Sequence, residues 1–144
     1  MSLYLDSAYI AKCYLNEPDA PRVRALVAGK TGLTSSAWCR AELGCIFLRH
    51  MRDGALTRRQ ANELHDLFRD DVRSGVWDLL PVTTAVLENV ELRTRRLRKR
   101  DVFVRAGDAV HLTTAAERGF REVWTNDRHM LGAARSFGLR GRSV

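Results

Sequence analysis

Apolar positions along the chain change their period several times, and each change predicts an element. Leu3-Tyr4-Leu5 is a short unbroken apolar run of the kind a buried strand shows, and it stops at Asp6. From Ser7 to about Leu15 the apolar residues return at helical spacing, with Ile10, Cys13 and Tyr14 on one face, until Asn16-Glu17-Pro18 breaks the pattern. Residues 19–28 read as a second helix ended by Gly29, and residues 31–34 as a strand. Ser35 and Ser36 offer an N-cap for a long helix over about 37–52, stopped by Asp53-Gly54. Thr57 can cap another over about 58–73, stopped by Gly75. Val76 to Leu80 predicts a strand closed by Pro81, and Thr83 or Thr84 starts a helix that runs into a basic stretch, Arg93 to Arg100. Residues 101–107 predict a loop, and Asp108 to Arg118 a helix with Gly119 as its C-cap. Glu122 to Thr125 predicts a strand, Asp127 opens a last short helix, and Leu139 to Val144 an edge strand.

Strands that alternate with helices call for a parallel sheet covered by helices on both faces. The 144 residues suit one domain with one real core, and the sequence has no repeat, linker or low-complexity tail. Residues 1–144 are therefore read as a single three-layer α/β domain. Hydrophobic residues at 45% and charged residues at 28% exclude a disordered chain. No apolar run approaches the roughly 18 residues that span a bilayer, so no membrane partner is expected. The N-terminus also lacks the basic and apolar stretches of a signal peptide, which places the expected location in the cytoplasm. Cys13, Cys39 and Cys45 show neither a CxxC nor a Cys/His spacing, and are expected to be buried reduced thiols.

Charge changes the picture. The net charge is +7, and 21 of the 24 basic residues are arginine. Such an excess favours a polyanionic partner, because Lys and Arg displace counterions from phosphate backbones. It equally describes a soluble surface rich in arginine. The run from Arg93 to Arg100 carries the same ambiguity. It is either a contact for a polyanionic or acidic partner, or a solvated helix end whose cations suit the helix dipole.

Four acids stand out by position. Asp6 follows the first strand directly, Asp127 comes two residues after the strand ending at Thr125, Asp108 begins a helix, and Glu42 borders the apolar face of the third. In an open parallel sheet, sites form beyond the carboxyl ends of the strands. Taken singly, Asp6, Asp108 and Asp127 are plausible caps, and Glu42 could pair with Arg40 or Arg49. As a set they would repel one another, and hard divalent cations such as Mg²⁺ or Mn²⁺ hold such a set together best. An acidic metal cluster on a basic protein suggests phosphodiester chemistry. Beside it, Ser7 could bond a phosphate or cap the first helix, and Thr125 or Asn126 could orient an acid or a metal-bound water. His111, one turn after Asp108, is read mainly as a structural hydrogen-bonding partner. Trp38, Trp77 and Trp124 sit in apolar patterns and are read as core rather than as base-stacking platforms. The absence of a Gly-Lys-Ser loop and of GxGxxG argues against nucleotide-driven or dinucleotide chemistry.

The same residues carry a family resemblance. Tyr4-Leu5-Asp6-Ser7-Ala8, Arg40-Ala41-Glu42-Leu43, Gly107-Asp108-Ala109-Val110-His111-Leu112-Thr113-Thr114-Ala115 and Trp124-Thr125-Asn126-Asp127-Arg128-His129-Met130-Leu131 follow one another over nearly the whole chain. In order and separation they resemble the acidic motifs of PIN domains, most closely the VapC branch. The stretch Arg105-Ala106-Gly107 departs from the simple apolar residue common there. The resemblance implies a central parallel sheet of four to five strands and an endoribonuclease dependent on Mg²⁺ or Mn²⁺. It implies Asp6, Glu42, Asp108 and Asp127 as catalytic and metal-binding residues. It also implies a homodimer that acts on RNA and is neutralised by a cognate VapB-type antitoxin.

Three rivals differ in kind. A non-catalytic PIN-like RNA-binding domain would keep the basic face and need no metal. An aspartyl-phosphate protein would want an acid two residues after Asp6, where Ala8 stands, or a receiver's acidic pair. Cleavage of DNA would use the same metal chemistry as cleavage of RNA.

Overall fold

The computed structural model describes residues 2–98, 100 and 102–144. Lys99 of the basic run and Asp101 of the expected loop lie outside the described residues. In chain order the elements are β1 (Leu3–Tyr4), α1 (Ser7–Tyr14), α2 (Ala20–Val27), β2 (Leu33–Ser36), α3 (Cys39–Arg52), α4 (Arg58–Arg73), β3 (Trp77–Leu80), α5 (Thr84–Arg95), α6 (Ala106–Glu117), β4 (Glu122–Trp124), α7 (Arg128–Ala134), a 3₁₀ turn (Arg135–Phe137) and β5 (Arg140–Arg142).

Every strand pairing is parallel. β1, β2 and β3 form one three-stranded ladder, with Leu3 opposite Leu33 and Leu33 opposite Trp77. β4 and β5 form a two-stranded ladder. The two ladders meet at a seam, where Leu5 bridges to Trp124 and the Asp6 N–H donates to the Trp124 carbonyl at 3.1 Å. The spatial order is thus β3-β2-β1-β4-β5, with the expected four to five strands divided into three and two.

Alternation along β1 sorts the core into two faces. Leu3 and Leu5 point to one side and pack with Ile10, Val23, Leu33, Leu43, Phe47, Phe68 and Trp77, which brings α1 to α4 onto that face. Tyr4 points to the other side, among Leu112, Val123, Met130 and Phe137, under α6 and α7. Helix, sheet and helix therefore form three layers, as strand-helix alternation requires.

The chain runs outward from β1 to β3 and then returns to the other side of β1 for β4. That reversal leaves a crevice between β1 and β4 at their carboxyl ends, the place where open α/β sheets build sites. Asp6 and Asp127 leave the sheet on the two sides of this crevice.

Several boundaries differ from the sequence expectation. Ser35 and Ser36 belong to β2 rather than capping α3, although Ser36 Oγ accepts from the Trp38 N–H at 3.2 Å. α3 begins only at Cys39, so Glu42 lies in its first turn instead of mid-helix. α6 begins at Ala106, so Asp108 lies in its first turn and Arg105 is the residue before the helix. Cys39 is buried, Cys13 half-buried and Cys45 exposed, so burial describes the thiols only in part. Trp77 is core, Trp124 is half-buried, and Trp38 is 37% exposed, against the expectation that all three are core.

Candidate active site

Asp6 and Asp127 are positioned by the helices they cap. Asp6 caps α1, accepting from the Tyr9 N–H at 2.8 Å. Asp127 caps α7, accepting from His129 and Met130 N–H at 2.8 and 3.1 Å. Both therefore point at helix N-termini, where a negative charge is favoured. Ser7 is the first helical residue rather than the cap, which frees its hydroxyl for a longer contact.

Three connected groups make the site. The first is Asp6, whose second oxygen accepts from the Thr125 hydroxyl, while Thr125 Oγ1 also accepts from the Asp127 N–H at 2.9 Å. One threonine thus ties the ends of β1 and β4 together. Burial raises the Asp6 carboxyl from 3.8 to about 6, although the Thr125 and Tyr9 bonds oppose that rise.

The second group is a buried relay. The Ser36 N–H donates to Tyr4 Oη at 3.0 Å, and Tyr4 Oη lies 3.0 Å from His111 Nδ1. With its oxygen already accepting, Tyr4 gives its proton to Nδ1, which leaves Nε2 of His111 as the N–H. Nε2 lies 2.7 Å from Glu42 Oε1, and the Ser7 hydroxyl donates to the same oxygen at 2.9 Å. Burial would raise Glu42, but the bonds from His111 and Ser7, together with the nearby Arg105 charge, hold it below the usual carboxylate range. Burial likewise pushes the Tyr4 phenol well up, so Tyr4 stays a donor. Glu42 pairs with His111 and not with Arg40 or Arg49.

The third group centres on Arg105. Its Nε donates to Asp108 Oδ2 at 2.9 Å and its Nη2 to Asp127 Oδ2. One guanidinium therefore bridges the acids of α6 and α7. Burial would raise Asp127, but the α7 amides and Arg105 hold it low. Hydrogen bonding to Asp108 is the main cause that raises Arg105 in turn. The groups are in electrostatic reach of one another, since Glu42 raises Asp6 and Arg105 lowers Glu42.

Asn126 stands apart. Its Oδ1 accepts from the Tyr9 hydroxyl at 2.6 Å and its Nδ2 donates to Asp19 at 3.0 Å, so it braces α1 and the start of α2. Sequence reasoning missed Arg105 as a site residue and Tyr4 as the support of His111. Arg105, three residues before Asp108, carried a helical-spacing signal that could have been read; the 107-residue separation of Tyr4 from His111 carried none.

The four carboxylates suit a hard divalent cation in donor chemistry. In the arrangement seen, Arg105 plays the cation's electrostatic part for Asp108 and Asp127. Among the described residues no three His, Cys, Asp or Glu side chains gather closely enough to share an ion. A cavity of about 1280 Å³ lies elsewhere, by the amino ends of β1 and β4, with Arg118, Arg121, Arg135 and Arg140 on its walls. It contains none of the four acids.

The fold and the crevice define an α/β protein with a carboxylate site at a topological switch point. Residues 3–135 match the PIN domain family. The chain is 31% identical over 140 residues to Ribonuclease VapC46 of Mycobacterium tuberculosis, covering 96% of this chain and 94% of that protein. Its fold is similar to that of VapBC2 from Rickettsia felis, solved bound to a DNA fragment from its promoter, with a TM-score of 0.69 at 14% identity over 99% of this chain and 98% of that one. The chain belongs to the PIN-domain family, in its VapC branch. Among the described residues, no helix is long and apolar enough to cross a membrane.

Proposed function

We propose that the chain is a Mg²⁺- or Mn²⁺-dependent endoribonuclease, the toxin of a VapBC-type pair that works in the cytoplasm. The observation that carries this reading is the crevice itself. Thr125 ties Asp6 to Asp127 at the switch point, and the Arg105 guanidinium sits between Asp127 and Asp108. The 31% identity to Ribonuclease VapC46 supports ribonuclease activity, and the likeness in fold to VapBC2 supports a VapB-type antitoxin as partner.

Asp6, Asp108, Asp127 and Glu42 would hold the metal, which supplies Lewis acidity toward water and phosphate. For this to happen, Arg105 turns away from Asp108 and Asp127, and its guanidinium, half in solvent, becomes available to a phosphate oxygen. Ser7 and His111 fix Glu42 Oε1 and keep the carboxylate ionised. Thr125 holds Asp6 toward Asp127. The antitoxin covers the crevice, and the active assembly is a homodimer.

The test is incubation of total tRNA and rRNA with the purified protein in Mg²⁺, in Mn²⁺ and in EDTA, beside Asp6→Asn and Asp108→Asn. Discrete cuts that need metal and vanish in both variants are expected. A folded protein that binds RNA without cutting it would replace this reading with the non-catalytic RNA-binding domain.

A further inference from the structure

Among the described residues seven large apolar side chains are exposed, and only two of them are aromatic, Trp38 and Phe103. Both stand at the acidic crevice. Trp38 precedes α3 one turn before Glu42, and its indole nitrogen would lie 3.0 Å from a Cβ on Gly107, the residue before Asp108. Phe103 precedes Arg105 by two residues and meets His129 edge-on at 4.8 Å, and His129 donates its N–H to Asp127. Contacts thus run from Trp38 through Glu42 and Gly107 to Asp108, then through Arg105 to Asp127, His129 and Phe103. The two rings mark the two ends of the catalytic row.

Their exposure calls for a reason. Trp38 is 37% and Phe103 57% exposed, although burying a large apolar side chain stabilises a fold by about 1.5–3 kcal/mol. The five other exposed apolar residues, Leu48, Leu67, Val76, Leu87 and Leu92, are aliphatic. An aromatic ring offers what they do not, a flat π-face that accepts any nucleobase. The base must be unpaired for the ring to reach that face, which a duplex denies. The net charge of +7 supplies the attraction for the phosphates between the bases.

We propose that Trp38 and Phe103 form an aromatic clamp that stacks one base on each side of the phosphate presented to the acids. This rests on the nucleic-acid reading of the site. Gly107 is part of the device, since a side chain there would press on Trp38 and reach contact with Glu42. The stacked bases set the strand's position along the crevice, which makes Trp38 and Phe103 specificity residues for the reaction.

The experiment is equilibrium binding, in EDTA so that no strand is cut, of a 2′-O-methyl octauridylate. An abasic strand of the same length and charge, and a 2′-O-methyl duplex, serve as controls. Wild type is expected to bind the base-bearing strand about a hundredfold more tightly than either control, about tenfold for each ring. Indole fluorescence should fall on binding, and fall less in Trp38→Phe, which keeps a ring for stacking. Trp38→Ala and Phe103→Ala should each lose about tenfold on the base-bearing strand and nothing on the abasic one. Equal affinity for base-bearing and abasic strands, or unchanged binding by both alanine variants, overturns the clamp. Base-dependent binding without any metal-dependent cleavage would sink the nuclease and leave the clamp standing. Metal-dependent cleavage with no base-dependent binding would do the reverse.

Discussion

Asp6 carries two duties that conflict. As the cap of α1 and the partner of Thr125 it must stay where it is, yet it is 5% exposed and its carboxyl is raised to about 6. The folded state therefore holds that proton more tightly than the unfolded chain does. The resulting stabilisation is complete below about pH 3.8 and is lost as pH rises through about 6. A shift of about two units amounts to about 3 kcal/mol. In EDTA, Asp6→Asn, which can still cap, should be more stable than wild type by up to about 3 kcal/mol near pH 8, with the gap closing toward about pH 4. Denaturant melts across that range check it, and a gap that ignores pH would place the cost of Asp6 elsewhere. Arg105 works in the opposite direction. Its side chain is 52% exposed, so its two ion pairs are discounted for solvent. Removing it nevertheless leaves two acids facing each other. Arg105→Gln should cost about 1 kcal/mol without metal, a fall of roughly 2–4 °C in Tm, and should increase the rise in Tm that Mn²⁺ produces. Thermal melts with and without MnCl₂ decide this, and an unchanged Mn²⁺ response would mean that Arg105 does not compete for the acids.

At the scale of elements, the decisive contact is the start of α6 against the start of α3. Gly107 permits it, because a Cβ there would stand 3.0 Å from Trp38 Nε1 and 3.4 Å from Glu42 Oε2. In Gly107→Ala the better helix former gains up to about 1 kcal/mol, and the displaced neighbours return a similar amount as strain. Overall stability should therefore change by less than about 1 kcal/mol. Cleavage should fall by about tenfold, since a proposed clamp ring is moved. Paired denaturation and cleavage assays test this, and intact cleavage would show that the contact has slack. α6 also explains why its onset was misplaced in the sequence. Asp108 is a favoured capping residue, but Arg105 precedes the helix and Asp108 sits one turn in, held by that arginine.

For the molecule as a whole, charge is the property that reaches furthest. Besides the site, arginines surround the large cavity at the opposite edge of the sheet, and Arg93, Arg95 and Arg96 close α5. RNA affinity is expected to fall steeply with salt, each phosphate contact on a single strand contributing about −0.7 to the slope of log K against log salt. Filter binding of the Asp6→Asn variant in EDTA over a range of salt measures the slope. A flat response would mean that the arginine excess serves the surface and not the substrate.

The order of strands and helices, the three-layer architecture and the placing of Asp6 and Asp127 after β1 and β4 were legible in the chain. Each depends on short-range periodicity, on capping chemistry or on motifs whose residues lie close in sequence. Thr57 shows how far that reaches, since it caps α4 with Gln60 in a local box. Tertiary structure decided what those signals cannot encode. The split of the sheet into three strands and two arises where β1 meets β4, more than a hundred residues away. The Tyr4-His111-Glu42 relay, the bridging of Asp108 and Asp127 by one arginine, and the exposure of Trp38 at the crevice are pairings between distant segments. Periodicity states which face of an element is apolar. Which partner that face meets, and which large side chain is left uncovered, follow only from packing the elements against one another.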